Sequence, residues 1–360
     1  MTDTEKYPWL VRSPEYVIET RRGTTHSLPI FLPVCEQGTT PISVEDMLAL
    51  GARGFISNAF FLYRERETRK RVLAGEYRLR DYLGLAEDHP YLLMTDSGAY
   101  QSFRQRVLLD NKKIVSFQDA LGADIISPLD LVGNVGEGLE ESRKKTGVTL
   151  KRCRQGLERA KTSILAGVQQ GGRHPEIRRW CLQELLDAGF EYIAIGSLVP
   201  FFTRKRNIGM AFSIIREARE MAGPTFPLHI FGSGDPLEVP FFAACGGNVF
   251  DSSSFAHYAL SGNYMTPFGA VDSPDSLSAI SWTCPCPACA EDFPSFSDVQ
   301  ALTRHNLAVI LKALDDVSRA AEENRLHDHL NAILETHTRL FQDERLATAW
   351  RAFQTRDDVG

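Results

Sequence analysis

The sequence predicts an α/β protein built as a (β/α)₈, TIM-type barrel, with a smaller cysteine-bearing subdomain and a helical C-terminal tail. Three observations carry that expectation. Short apolar, β-branched runs alternate with helix-like segments, which is the pattern of a parallel sheet crossed by helices. Eight such runs fall within about 250 residues, the strand count and length of an eight-stranded barrel. The 360 residues are 43% hydrophobic, enough to bury a sizeable core. An open doubly wound sheet is the alternative arrangement.

The eight runs are 30–34, 54–58, 91–96, 124–128, 164–169, 192–196, 228–232 and 249–251. Before the first, residues 16–31 read as an extended lead-in that turns at Gly23. Helix signals lie between the runs. Ser43 caps a segment reaching Leu50 with acids in its first turn, and 137–160 is long and charged. Pro175 sits at a first-turn position of 175–188, and 208–221 and 236–245 follow the same logic. Residues 261–276 are rich in Gly, Pro and Ser and read as a loop. From Ser297 to about Arg351 an apolar stripe (Val309, Leu311, Leu314, Val317, Leu330, Ile333, Leu334) marks a helical tail. The expected division is residues 1–275 for the barrel and its extended N-terminal segment, and residues 276–360 for the remainder.

Composition narrows the function classes. No run reaches the ~18–20 apolar residues of a membrane-spanning helix. The first sixteen residues are polar and of mixed charge, with no apolar signal core, so a cytoplasmic protein is expected. Seven cysteines, three of them within six residues, make a poor disulfide framework and a good metal site. A net charge of −6 does not advertise a nucleic-acid binder. Basic islands at 64–71, 143–145, 151–154 and 204–206 are most simply solvated helix faces, but would form a phosphate track if they converged.

Cys284, Cys286 and Cys289, followed by His305, offer three thiolates and an imidazole. That donor set suits a four-coordinate, structural Zn²⁺ with no open position for catalysis. His327 and His329 are rivals for the fourth place.

Chemistry in a (β/α)₈ barrel sits at the carboxyl ends of the strands. Those ends carry Asp96, Asp130, the Gln169–Gln170 pair before Gly171–Gly172, Gly196–Ser197, and Asp251. Any one aspartate alone is best read as a helix N-cap. Three carboxylates at one mouth repel one another and lose hydration, and so point to a site. Two carboxylates suit attack at a sugar anomeric carbon, one as nucleophile and one handling protons. A third, with a glutamine and backbone groups, complements the N–H edge of a purine, and Tyr100 offers a plane for stacking.

Several motifs resemble the tRNA-guanine transglycosylase superfamily, in the family's order. They are Thr95–Gln101, Gly167–Gly171, Ala194–Ser197, Phe250–Ser252 and the Cys-x-Cys-x-x-Cys set with His305-Asn306-Leu307. The match spans about Pro29 to Leu307. The resemblance implies that Asp251 attacks C1′ and that Asp96 is the acid/base. It implies that Asp130, Gln170, Gly196 and Ser197 bind the base with Tyr100 stacked on it, and that the zinc is structural. Dimerisation near the zinc is common in the family. The run after Asp251 and Ser197 itself are similar to the archaeal-type branch, which uses preQ0, while Ala99 departs from the family's usual glycine. The chain stops at Gly360, without the extra C-terminal tRNA-binding domains usual in that branch. It therefore resembles the DpdA-type proteins that place a 7-deazaguanine in DNA, and DNA is the expected substrate ahead of tRNA. Accessory proteins that open duplex DNA are then implied, because a base must leave the stack before its glycosidic bond is attacked. A non-catalytic binding subunit and an unrelated zinc-stabilised glycosidase are the other classes. Retention of three aspartates argues against the first, and the base-binding motifs against the second.

Overall fold

The structure, a computed structural model, describes residues 2–99, 109–202, 207–280, 282–291 and 296–357. Two strands come before the predicted runs. β1 (Val17–Glu19) and β2 (Thr25–Ser27) pair antiparallel, with Val17 opposite Ser27. The lead-in is thus a hairpin turning at Gly23, whose φ of 83° suits glycine. Its Arg22 reaches both carboxylate oxygens of Asp124 and the carbonyls of His89 and Tyr91, where strands begin.

All eight predicted runs form strands. They are β3 (Ile30–Pro33), β4 (Gly54–Asn58), β5 (Leu92–Asp96), β6 (Ile125–Ile126), β7 (Ile164–Leu165) with β8 (Gly167–Gln169), β9 (Ile193–Ile195), β10 (Leu228–Ile230) and β11 (Val249–Ser252). The run at 164–169 is split at Ala166. The strands make two parallel sheets, ordered β4-β5-β6-β7 and β3-β11-β10-β9-β8. The sheets meet at two seams. Val34 bridges to Ile56 in parallel, and the Cys35 amide donates to the Ile56 carbonyl at 2.9 Å. At the other seam Ala166 donates to Ile126 and the next residue, Gly167, donates to Tyr192, each at 2.8 Å. The bonding therefore passes from one sheet to the other within a single chain segment.

The strands are apolar on both sides, as parallel strands under helices must be. Ile30, Leu32, Ile56, Leu92, Met94, Ile125, Val168, Ala194 and Val249 share one buried cluster on the inner side. Their alternates Phe31, Phe55, Leu93, Ile126, Ile193, Ile195, Ile230 and Phe250 join the cluster packed under the helices. This period of two turns Asp96, His229 and Asp251 inward at the carboxyl ends.

Beyond β11 two expectations change. The loop predicted at 261–276 contains a second hairpin, β12 (Tyr264–Thr266) and β13 (Gly269–Val271). Turn residues there mark the bends of a short hairpin and not a loop throughout. The helical tail is three helices, Val299–Glu322, Leu326–Phe341 and Arg345–Asp357, broken where Asn324 and Gln342 adopt φ of 57° and 53°. Leu307, Ile310, Leu314 and Val317 of the first sink into the same cluster as Phe241 and Phe250. Asn306 ties that helix to its neighbours, accepting from the Met265 amide and donating to the carbonyls of Phe255 and Asn263. Among the described residues no helix is long and apolar enough to cross a membrane.

Candidate active site and metal centre

Asp96 ends β5 and its Oδ2 accepts from the Asn58 side-chain amide and the Gly98 amide, each at 3.2 Å. Burial, followed by the nearby negative charge of Asp130, raises its carboxyl to about 7. Asp96 therefore keeps a proton to near neutral pH, where an ordinary aspartate is ionised. Asn58, at the end of β4, is itself held by Glu36, which accepts from the Asn58 backbone amide and, at 3.3 Å, from the Tyr82 hydroxyl. Burial raises Glu36 to about 7 as well.

Asp130, on the loop after β6, is 8% exposed and raised to about 6 by burial, against the opposing hydrogen bond from Gln170. The Gln170 side chain is used at both ends. Its Nε2 donates to Asp130 Oδ2, and its Oε1 accepts from Ser197 Oγ at 2.6 Å. Ser197 Oγ also accepts from the Gly133 amide at 2.8 Å. Ser197 holds a left-handed φ of 59°, a conformation that costs a non-glycine residue about 1 kcal/mol or more and that clusters at functional sites. Gly196 is required by close approach, because a Cβ there would lie 2.4 Å from Gln170 Nε2. Arg178 is fully buried beneath these residues. It donates to the carbonyls of Gly196 (2.9 Å), Gly172 (3.0 Å) and Gln169 (3.3 Å), clamping the ends of β8 and β9 together.

Asp251, on β11, is 9% exposed. Its Oδ1 accepts from His229 Nε2 at 2.9 Å and from the Gly232 amide at 3.0 Å. It is not a helix cap, since Ser253 occupies that position for Ser254–Leu260. Asp130 does not precede a helix either, because the next one starts at Leu139. The cap reading thus fails for both. Among the described residues Asp96, Asp130, Gln170, Gly196, Ser197 and Asp251 all fall at or just beyond carboxyl ends of the parallel strands. Tyr100 and the 204–206 island lie outside the described residues.

Glu36, Asn58, Arg178, Tyr192 and His229 do not stand out in the sequence. Asn58 and His229 carried a usable signal, being polar residues at inward positions of otherwise apolar strands. Arg178 carried none, as one of two adjacent arginines on a helix.

The cysteine cluster is assembled as expected. Donor atoms of Cys284, Cys286, Cys289 and His305 all lie within 4.8 Å of one another. His305 Nδ1 is 3.5 Å from Cys286 Sγ and 3.3 Å from Cys289 Sγ. A tetrahedral zinc bonded to sulfur and nitrogen at ordinary lengths separates those two atoms by about 3.5 Å, so the set fits that ion. The other ring nitrogen sits 2.8 Å from the Met265 carbonyl, which leaves Nδ1 unprotonated toward the thiols. Tyr264 stacks on the ring at 3.6 Å and its hydroxyl is 3.2 Å from Cys289 Sγ. His327 instead contacts Asn331 on its own helix, and neither it nor His329 belongs to the cluster.

The basic islands are partly consumed by acids. Lys145 pairs with Glu137 and Glu141, and Arg154 with Glu184. An open cleft of about 1340 Å³ runs from Gly232 and Ser252 to the last helices, and Asp235, Glu238, Asp343 and Glu344 line it.

The described residues thus form an α/β protein of parallel sheets with carboxylates at the strand ends, beside a Cys₃His cluster. Comparison with known proteins names the family. Residues 17–339 match the family model described as queuine tRNA-ribosyltransferase, and the chain belongs to that family. A tRNA-guanine(15) transglycosylase of Methanosarcina mazei is 30% identical over 94% of this chain and 68% of its own length. That of Thermococcus kodakarensis is 28% identical over 94% of this chain and 58% of its own. That of Archaeoglobus fulgidus is 31% identical over 89% and 66%. The chain thus spans between 58% and 68% of these relatives. All three are named as enzymes of tRNA, and none as an enzyme of DNA.

Proposed function

We propose that this chain exchanges a guanine in tRNA for a 7-deazaguanine of the preQ0 kind, through a covalent Asp251–C1′ intermediate. One observation carries the reading: Asp96, Asp130 and Asp251 gather at or just beyond strand ends, close enough that the charges of Asp130 and Asp251 both act on Asp96. The two sheets are read as one closed (β/α)₈ barrel, because hydrogen bonds cross both seams. Zinc held by Cys284, Cys286, Cys289 and His305 would be structural, fixing β12 and the helix Val299–Glu322 beside the barrel.

Asp251 attacks C1′, forming the C1′–O bond as the C1′–N9 bond breaks. The electron pair goes to the departing guanine, which takes the proton Asp96 holds. The incoming base then gives its N9 proton to Asp96 and attacks C1′, and the pair of the C1′–O bond returns to Asp251. Asp130 and Gln170 accept from and donate to the purine edge, and glycine at 196 leaves room beside them.

The test offers labelled guanine or preQ0 with tRNA, single-stranded DNA and duplex DNA. Incorporation into tRNA is expected, and Asp251→Ala should remove it at least 1000-fold, on the order of other nucleophile deletions, with the fold intact. Label entering DNA alone would restore the DNA reading. Turnover retained in Asp251→Ala would remove the nucleophile assignment.

A further inference from the structure

We infer that His229, fixed by Tyr192, is a positioning residue that selects which oxygen of Asp251 attacks C1′ and that aids the second half of the exchange. The inference rests on the reading of Asp251 as nucleophile. Tyr192 and His229 are both 0% exposed, Tyr192 immediately before β9 and His229 on the neighbouring β10. The Tyr192 hydroxyl lies 2.8 Å from His229 Nδ1. Burial, with the Asp251 charge adding to it, pushes the phenol well above its ordinary range, so it stays protonated beside His229 Nδ1 and Met94 Sδ. A carboxylate oxygen only accepts, so Nε2 carries a hydrogen and donates it to Asp251 Oδ1, while the hydroxyl at Nδ1 holds the ring in that orientation. The ring cannot turn away, because Phe231 packs edge-on against it at 4.6 Å.

Oδ1 therefore takes two hydrogen bonds, from His229 and Gly232, while Oδ2 accepts none among the described residues. A doubly bonded oxygen is the poorer nucleophile, so Oδ2 forms the bond to C1′ and Oδ1 becomes the ester carbonyl. The same two donors act in reverse when the incoming base arrives. They stabilise the full charge of the departing carboxylate more than the neutral ester, and so favour release of Asp251. Neither half-reaction needs His229 to gain or lose a proton.

The test isolates the covalent tRNA–protein adduct formed without incoming base, then adds labelled guanine and follows adduct decay. His229→Phe should slow decay on the order of tenfold to a hundredfold, the worth of a hydrogen bond to a charged group, and raise the steady-state adduct. KM for guanine should change by less than about twofold, because the base does not touch His229. His229→Gln, which keeps a donor near the Nε2 position, should recover most of the rate. Tyr192→Phe removes one hydroxyl and should slow decay a few-fold; it decides the matter if His229→Phe does not fold. Decay at the wild-type rate in His229→Phe or Tyr192→Phe, or equal loss in the Phe and Gln variants, would overturn the inference. No adduct in the wild-type protein would instead remove the nucleophile reading beneath it.

Discussion

At the scale of single residues, Asp96 links stability to chemistry. Its carboxyl is raised from 3.8 to about 7 by burial and by Asp130. A raised acid favours folding while both states are protonated, and that advantage disappears as pH rises through the folded value. Wild-type stability should therefore fall between about pH 4 and pH 7, and Asp96→Asn should lack that part of the fall. At pH 8 the variant should be more stable by on the order of 2 kcal/mol, with the gap closing near pH 4. In the proposed mechanism the same proton serves the departing guanine, so guanine release should decline above about pH 7 in the wild type and be nearly absent at all pH in the variant. Denaturant melts and single-turnover release across pH check both limbs. A constant gap between the two proteins would show that Asp96 ionises normally.

Among elements, the helix Val299–Glu322 does two jobs on two faces. Leu307, Ile310 and Leu314 join the core under the helices that cover the parallel sheets, while His305 turns toward the three cysteines. A zinc ion on these four donors would contribute folding free energy directly. Cys286→Ser should lower bound zinc well below one per chain and reduce the unfolding midpoint by on the order of 5–10 °C. Metal analysis and calorimetry measure both. Unchanged zinc would exclude this ligand set.

For the whole molecule, the boundary at residue 275 separates sequence patterns more than it separates cores. The helices after it bury Val317, Leu330, Leu334 and Trp350 in the cluster that also holds Phe212, Phe241 and Phe250. Trp350 lies 5.1–5.3 Å from the rings of Phe241 and Phe212. Shared burial of that kind couples the unfolding of both parts. A single calorimetric transition is expected, with equal calorimetric and van't Hoff enthalpies; two resolved transitions would restore independent domains.

The strand runs, the Cys₃His cluster and the aspartates at strand ends were legible because each depends on short-range pattern. A buried parallel strand must be apolar on both faces, and three cysteines within six residues have few other uses. The hairpin Tyr264–Val271 was hidden because its turn residues read as loop. The hydrogen bonds of Tyr192 to His229 and of His229 to Asp251 were hidden because they join residues 37 and 22 positions apart, in segments whose adjacency only the sheet order decides. Sequence by itself determined which residues are able to attack, donate and ligate. Tertiary structure alone decided their protonation and aim, because both follow from burial and from neighbours that pairing of distant strands brings within 3 Å.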